Sequence, residues 1–177
     1  DEEVAVRDVK KSLRDEALVD FLFSTGVRVG ELAAMDISNV DFAAGTVTFR
    51  GEKSDRFRTV ILDARAKRHL GAYLNSRADN NPALFVTERL YDGQPRRMKK
   101  DAIENITKAV GRAAGLHKVL TVHVFRRTLA TRLADKECPL EVIQEILGHR
   151  SPTTTKRYVA KNVTRIRRQA VRYMDAA

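Results

Sequence analysis

The sequence predicts a mainly α-helical domain with a small antiparallel β-sheet inserted early in the chain. Apolar residues recur at helical spacing in residues 12–25, 64–78, 99–114, 124–135 and 139–147. Short runs rich in β-branched and aromatic residues follow the first helix and flank a turn at Ala44-Gly45. The 177 residues fit one domain with a buried core, and a hydrophobic content of 43% argues against disorder.

The first half of the chain contains most of the signals that separate these elements. The helix over residues 12–25 ends at Gly26, and a second short helix is predicted from Arg28 to Met35. Three strands are expected: one around Ile37, Val40 and Phe42, one at 46–49 and one at 57–62.

Beyond the helix at 64–78, residues 83–86 form a short apolar segment, and 91–100 is predicted to be an exposed basic loop. Near the carboxyl terminus, Gly148 is a helix stop signal, and Ser151-Pro152 is a helix start signal for residues 152–160. A last helix is expected at 163–174.

The charge of the chain predicts a polyanionic partner. Lys and Arg total 33 against 23 Asp and Glu, which gives a formal net charge of +10. From His149 to Met174 there are eight Lys or Arg and no Asp or Glu. Double-stranded DNA is the natural partner for such a stretch, although a basic surface can also serve solubility alone.

Cysteine content and the chain start bear on location and domain organisation. Cys138 is the only cysteine, so no internal disulfide can form and a reducing, cytoplasmic location is expected. No run approaches the roughly 18 apolar residues of a membrane span, so no membrane association is expected. The chain begins Asp-Glu-Glu without a methionine, and we expect it to be an excised domain of a longer protein.

Four fragments point to one chemistry: 25–32 (TGVRVGEL), 123–126 (HVFR), 147–149 (LGH) and Tyr158. They supply two arginines, two histidines and a phenol, without a cluster of carboxylates or thiols. A pair of guanidinium groups suits a phosphate, and a tyrosine held beside it can attack the phosphorus and form a covalent ester. The combination predicts DNA strand cleavage without a metal ion or other cofactor.

Local spacing gives partial support for this interpretation. His123 and Arg126 are three residues apart at a helix start and share a face, whereas Arg127 points elsewhere, toward DNA backbone or solvent. Glu31 lies one helical turn after Arg28, where it can hold a neighbouring basic side chain or form an ordinary helix ion pair.

The ordered set of motifs resembles the tyrosine recombinase (phage integrase) family over nearly the whole chain. Residues 123–131 (HVFRRTLAT) are similar to the family's second arginine segment. Residues 142–149 (VIQEILGH), followed by Ser151, Thr154, Thr155 and Tyr158, are similar to its nucleophile segment and carry the most specific part of the likeness.

The resemblance implies a role for individual positions. Arg28 and Arg126 match the phosphate-binding arginines, His123 and His149 the active-site histidines, and Tyr158 the nucleophile. Glu31 corresponds to an acidic residue that supports the site. The family also uses a lysine in a hairpin after the first arginine, for which Lys53 is the candidate; the segment departs from the common Gly-Lys-Gly form, so Arg56 stays an alternative. Further DNA contacts are expected from Arg56, Arg127, Arg150, Lys156 and Arg157.

The implied activity is site-specific DNA recombination through a 3′-phosphotyrosyl intermediate, without metal or ATP. The resemblance also implies that residues 1–177 are the catalytic domain and that an N-terminal DNA-binding domain is absent from this chain. The implied assembly is a tetramer on DNA, held together by a C-terminal tail at residues 162–177 that docks on a neighbouring subunit. Packing of that tail on its own domain is the alternative.

Two other functions are compatible with parts of the sequence. The predicted helices around Gly148, over residues 139–160, could form a non-catalytic helix-turn-helix DNA-binding module, which would leave Arg28, Lys53 and His123 unexplained. A type IB topoisomerase-like enzyme would use similar catalytic residues to relax DNA.

Overall fold

The computed structural model describes residues 2–51 and 57–148, which form seven α-helices and two antiparallel sheets. The helices are α1 (Glu2–Asp8), α2 (Leu13–Thr25), α3 (Val29–Ala34), α4 (Ala64–Ser76), α5 (Lys100–Ala113), α6 (Val122–Asp135) and α7 (Leu140–Leu147). The strands are β1 (Val40–Asp41), β2 (Thr46–Arg50), β3 (Phe57–Ile61), β4 (Val86–Tyr91) and β5 (Gln94–Arg97). The predicted mainly α fold with a small antiparallel sheet is confirmed.

Helix α2 lies at the centre of the domain. The Ser12 side chain caps its amino end by accepting from the Asp15 amide, and Gly26, with φ of 57°, ends it in the left-handed conformation. Leu18, Phe21 and Leu22 are fully buried. Since α2 packs against both α4 and α6, its end at Gly26 is fixed by the main core.

The three-stranded sheet has the order β1-β2-β3, with Val47 paired to Val60 and Phe49 to Arg58. Ile37, expected in a strand, instead begins a short 3₁₀ turn (Ile37–Asn39). That turn forms because the Asn39 side chain accepts a hydrogen bond from the Asp36 amide at 2.7 Å, which favours a local turn over strand pairing.

The prediction of an exposed loop over residues 91–100 is wrong. Strands β4 and β5 form a two-stranded hairpin in which Tyr91 pairs with Gln94. Asp92 and Gly93 both have positive φ, at 54° and 77°, which is the conformation of the tight turns that join antiparallel strands. The Asp-Gly pair was therefore a hairpin signal rather than a loop signal.

Helices α6 and α7 enclose a second, smaller apolar cluster of Leu129, Ala130, Ala134, Ile143 and Leu147. Helix α6 begins at Val122, two residues before the predicted start, and α7 ends at Gly148, whose φ is 59°. A Cβ atom placed on Gly26 would lie 3.2 Å from the Leu147 side chain. The carboxyl ends of α2 and α7 therefore lie beside each other.

The predicted helices at 152–160 and 163–174 lie outside the described residues. None of the helices within 2–51 and 57–148 has the length and apolar character that crossing a membrane requires.

Candidate active site at the carboxyl end of helix α7

The described residues contain five of the predicted site residues: Arg28, Glu31, His123, Arg126 and Arg127. The other predicted positions lie outside the described residues; they are Lys53, Arg56, His149, Arg150, Lys156, Arg157 and Tyr158. The geometry of the candidate site is therefore given by Arg28, Glu31, His123, Arg126 and Arg127 and by the residues around them.

Arg28 is held at the amino end of α3 by Glu31. The Glu31 carboxylate accepts from the Arg28 backbone amide at 2.8 Å and from the Arg28 Nη1 at 2.9 Å. Glu31 is only 3% exposed, so its carboxylate meets little competing water. A single buried carboxylate thus fixes both the backbone and the side chain of the first arginine.

Arg126 lies on the inner face of α6 and is 5% exposed. Its Nη1 donates to the Gly26 carbonyl at 2.8 Å, and its Nη2 donates to the Leu147 carbonyl. Arg126 therefore connects the carboxyl ends of α2 and α7.

Arg28 reaches the same helix end from the other side. Its Nη2 donates to the Gly148 carbonyl at 3.2 Å. The last carbonyls of a helix lack intrahelical partners and carry partial negative charge, so guanidinium groups stabilise them. Two arginines that are distant in the sequence thus meet at consecutive carbonyls, immediately before position 149.

His123 and Arg127 differ from Arg126 in their exposure. His123 lies in the first turn of α6 with an exposed side chain, and Arg127 is exposed as well. Arg126, three residues after His123, is buried. The histidine is therefore accessible at the start of the helix whose interior face holds the arginine.

Arg58 belongs to this cluster although it was not among the predicted site residues. Its Nη1 donates to the Leu147 carbonyl at 2.8 Å, and its Nη2 donates to Glu31 Oε2 at 3.3 Å. Its guanidinium carbon lies 4.8 Å from the centre of the Phe49 ring. Burial lowers the pKa of Arg58, and the nearby Glu31 carboxylate opposes that shift.

The sequence of β3 does not by itself show that Arg58 points inward, because the opposite face carries the apolar residues Phe57 and Ile61, which are 75% and 69% exposed. Side chains of a strand point alternately to its two faces, and Arg58 shares the inward face with Val60, which is buried. An arginine on the buried face of a strand needs a specific partner, because an unpaired charge there is costly.

The α7-end cluster consists of Arg28, Glu31, Arg58 and Arg126 around the Leu147 and Gly148 carbonyls. It contains three guanidinium groups and one carboxylate, so its side chains carry a formal excess of positive charge. In residues 2–51 and 57–148, no group of three or more His, Cys, Asp or Glu side chains is arranged to hold a metal ion. The arrangement suits an anion with several oxygens, such as a phosphate.

Sequence comparison finds one family model and several known proteins that are similar to this chain. The phage integrase family model matches residues 4–165. Tyrosine recombinase XerA of Pyrococcus furiosus is 34% identical over 149 residues, covering 84% of this chain and 51% of that protein. Tyrosine recombinase XerD of Oceanobacillus iheyensis is 33% identical over 167 residues, covering 90% of this chain and 54% of that protein.

Solved structures show the same fold. A crystal structure of XerA recombinase matches with a TM-score of 0.83 at 34% identity, covering 97% of this chain and 62% of that chain. A XerH site-specific recombinase bound to palindromic difH substrate matches in fold, with a TM-score of 0.76 at 23% identity, covering 98% of this chain and 50% of that chain.

The chain therefore belongs to the phage integrase family, the tyrosine recombinases that its sequence motifs resemble. It spans about half the length of the curated relatives it matches.

Proposed function

We propose that this chain is the catalytic part of a tyrosine recombinase, which cleaves and rejoins DNA through a covalent 3′-phosphotyrosyl intermediate. The observation that carries the proposal is the convergence of Arg28 and Arg126 on the two carbonyls that directly precede His149. Family membership and the order of the motifs add independent support.

In the cleavage step, the Tyr158 oxygen attacks the scissile phosphorus and the bond from phosphorus to the 5′-oxygen breaks. Arg28, Arg126 and His149 stabilise the negative charge that spreads over the non-bridging oxygens. Because these arginines are already held by Glu31 and by helix-end carbonyls, little reorganisation is needed when the charge develops.

Two further groups move protons in this proposal. Lys53 donates a proton to the departing 5′-oxygen, which leaves as a hydroxyl; a water is the alternative donor, and Arg56 is the alternative residue in the same segment. His123 serves as the acid/base partner that takes the Tyr158 phenolic proton as that oxygen attacks, a role that fits its exposed position at the start of α6. A second DNA 5′-hydroxyl then attacks the phosphotyrosyl ester and restores the backbone, and no ATP is consumed because the ester retains the bond energy.

Double-stranded DNA is the proposed substrate, with additional phosphate contacts from Arg127, Arg150, Lys156 and Arg157. The net charge of +10 supports this, and predicts binding that weakens steeply with salt. The single cysteine is consistent with a reducing compartment, from which we infer a cytoplasmic location.

The nucleophile is tested by replacing Tyr158 with Phe. The variant should bind DNA normally but form no covalent adduct on nicked substrates that trap the cleaved state, because it lacks the attacking oxygen. Adduct formation is measured as a shift on denaturing gels. An adduct that persists in Tyr158→Phe would eliminate this residue as nucleophile.

The same substrates separate the alternatives. DNA binding without any adduct from the unaltered chain would favour a helix-turn-helix module. Relaxation of supercoiled DNA without paired target sites would favour a topoisomerase-like activity.

We extend the proposal to assembly as a tetramer on DNA through residues 162–177. A cavity of about 310 Å³ between β3, α6 and α7 is lined by apolar side chains that include Ile61, Leu133, Val142 and Ile146. Val142 and Ile61 are 42% and 69% exposed, which supports this cavity as the docking surface for the apolar residues of the tail.

Ending the chain after Lys161 tests this assembly. If the tail docks on a neighbouring subunit, the shortened chain should bind DNA as a monomer where the full chain forms larger complexes, as measured by mass. Complexes of unchanged mass would indicate that the tail packs on its own domain or is not involved.

A further inference from the structure

We propose that Arg58 is a positioning residue of the recombination site, which holds Arg28 and the carboxyl end of α7 in the geometry that phosphate binding requires. The inference rests on the proposed function and adds to it a residue that none of the motifs in the sequence assigned.

Arg58 connects three elements that the site needs. It extends from β3, donates to Glu31 near the start of α3, and donates to the Leu147 carbonyl at the end of α7. Glu31 in turn holds the Arg28 side chain at 2.9 Å. Through Glu31, the position of Arg28 therefore depends on Arg58.

Arg58 is more enclosed by the protein than Arg28 is. Its side chain is 12% exposed, compared with 27% for Arg28. Both Nη atoms are engaged by the protein, one face lies over Phe49, and its Nε is buried without a hydrogen-bond partner among the described residues. Arg28 is thus better placed than Arg58 to meet a phosphate. Burial alone does not assign the role, because Arg126 is only 5% exposed. The assignment of Arg58 as a support rests on its link through Glu31 to Arg28.

Arg58 also explains why position 148 is a glycine. A Cβ atom at this position would lie 2.1 Å from Arg58 Nη1 and 2.9 Å from its Cδ. The glycine therefore provides the positive φ that ends α7 and also the space that the Arg58 guanidinium occupies. This close approach leaves no room for a side chain at position 148.

A lysine could not reproduce these contacts. Arg58 uses two different nitrogens of one planar group to reach a carboxylate and a carbonyl on separate helices. An ammonium group is a compact charge without that fixed fork, so it would keep the charge and lose one of the two connections.

The test compares Arg58→Met and Arg58→Lys with the unaltered chain on a nicked trapping substrate. The measurements are the single-turnover rate of adduct formation at saturating DNA and, separately, the Kd for DNA. We expect Arg58→Met to lower the saturating rate by about 10- to 100-fold, as misplacement of a catalytic group does, while the Kd changes by less than about threefold. The saturating rate of Arg58→Lys should lie between those of Arg58→Met and the unaltered chain.

Arg89→Met is the matched control. Arg89 is also a strand arginine next to an aromatic ring, 5.3 Å from the centre of Tyr91, but it is exposed on the β4–β5 hairpin. Its replacement should leave the saturating rate unchanged.

A double-mutant cycle with Arg28→Ala separates positioning from a general loss of structure. If Arg58 acts through Arg28, adding Arg58→Met to Arg28→Ala should slow the reaction by much less than it slows the unaltered chain. Thermal unfolding of each variant shows that the assays are made on folded protein, and Arg58→Lys enters the same cycle if Arg58→Met does not fold.

Several results would overturn the inference. The first is a normal saturating rate in both Arg58 variants, and the second is a defect confined to Kd. The third is a double variant whose loss of rate equals the product of the losses in the Arg58 and Arg28 single variants. Failure of the proposed function gives a different result, because the unaltered chain itself would then form no adduct.

Discussion

Two buried carboxylates, Asp20 and Glu31, each form ion pairs with several basic side chains. The Asp20 cluster is structural, whereas the Glu31 cluster belongs to the candidate site. Asp20 is 2% exposed and contacts Arg7 at 3.0 Å, Arg65 at 3.2 Å and His69 at 2.5 Å. Glu31 contacts Arg28 and Arg58 at similar distances. Ion pairing alone therefore does not distinguish a structural cluster from a functional one.

The difference lies in the balance of charge and in the type of partner. Around Asp20, Glu3 pairs with Arg7 at 2.8 Å and Glu16 lies 3.7 Å from His69, so further acids compensate the basic groups. These contacts join side chains of α1, α2 and α4. In the α7-end cluster, Arg28 and Arg58 share the Glu31 carboxylate, and these two arginines and Arg126 all donate to helix-end carbonyls. Excess positive charge at a helix end leaves that cluster suited to an incoming anion.

Among replacements in these two clusters, Arg126→Ala should give the largest effect, measured as the catalytic rate of the folded variant. Loss of a preorganised donor to the transition state costs about 3–4 kcal/mol, or roughly 10²–10³ in rate. The single-turnover rate of adduct formation at saturating DNA measures this. Arg127→Ala, which removes the exposed neighbour on the same helix, should instead weaken DNA binding and reduce its salt dependence. A near-normal rate in Arg126→Ala would remove this residue from the phosphate site.

Much of the fold could be predicted from local patterns. The start of α2 at Ser12 and its end at Gly26 follow from capping chemistry, as does the end of α7 at Gly148. The β4–β5 hairpin contradicts the predicted loop, because the polar residues around Asp92-Gly93 favour a loop by composition whereas the pair itself favours a hairpin turn.

The site was less accessible to sequence reasoning. Arg28, Glu31 and Arg126 could be proposed because they lie in recognisable segments. Arg58 could not, since its role depends on which face of β3 is buried and on where the end of α7 lies, and both are set by long-range packing. Strand register and helix docking are properties of the whole fold, so a single strand does not reveal them.

Replacing Asp20 with Asn should produce the second-largest effect, and it should affect stability. Removing the charge from Asp20 leaves Arg7 and Arg65 without their common buried partner, and breaking a buried ion pair in this way costs about 3 kcal/mol. The free energy of unfolding from urea denaturation measures the loss.

At a temperature where the Asp20→Asn variant is folded, its adduct formation should be normal. A specific loss of cleavage rate in folded Asp20→Asn would show that the two clusters are coupled, and the distinction between them would then fail.

The smallest effect is expected at the ion pair of Arg77 with Asp79, which lies outside both clusters. It shows what an ordinary structural ion pair contributes to stability. Arg77 contacts both carboxylate oxygens of Asp79, at 2.5 and 3.0 Å, and the Asn81 amide donates to the same carboxylate at 2.9 Å. These bonds, chiefly the one from Arg77, lower the pKa of Asp79 below its ordinary value of 3.8.

Because the pKa of Asp79 is lower in the folded state than in the unfolded state, its stabilising effect is present above pH 3.8. That effect disappears as the pH falls through the folded-state pKa. Asp79→Asn should therefore cost about 1–2 kcal/mol of unfolding free energy at neutral pH, and the difference from the unaltered chain should shrink in acid. Urea denaturation at several pH values measures it, and a difference independent of pH would show that the Asp79 charge contributes nothing beyond its shape.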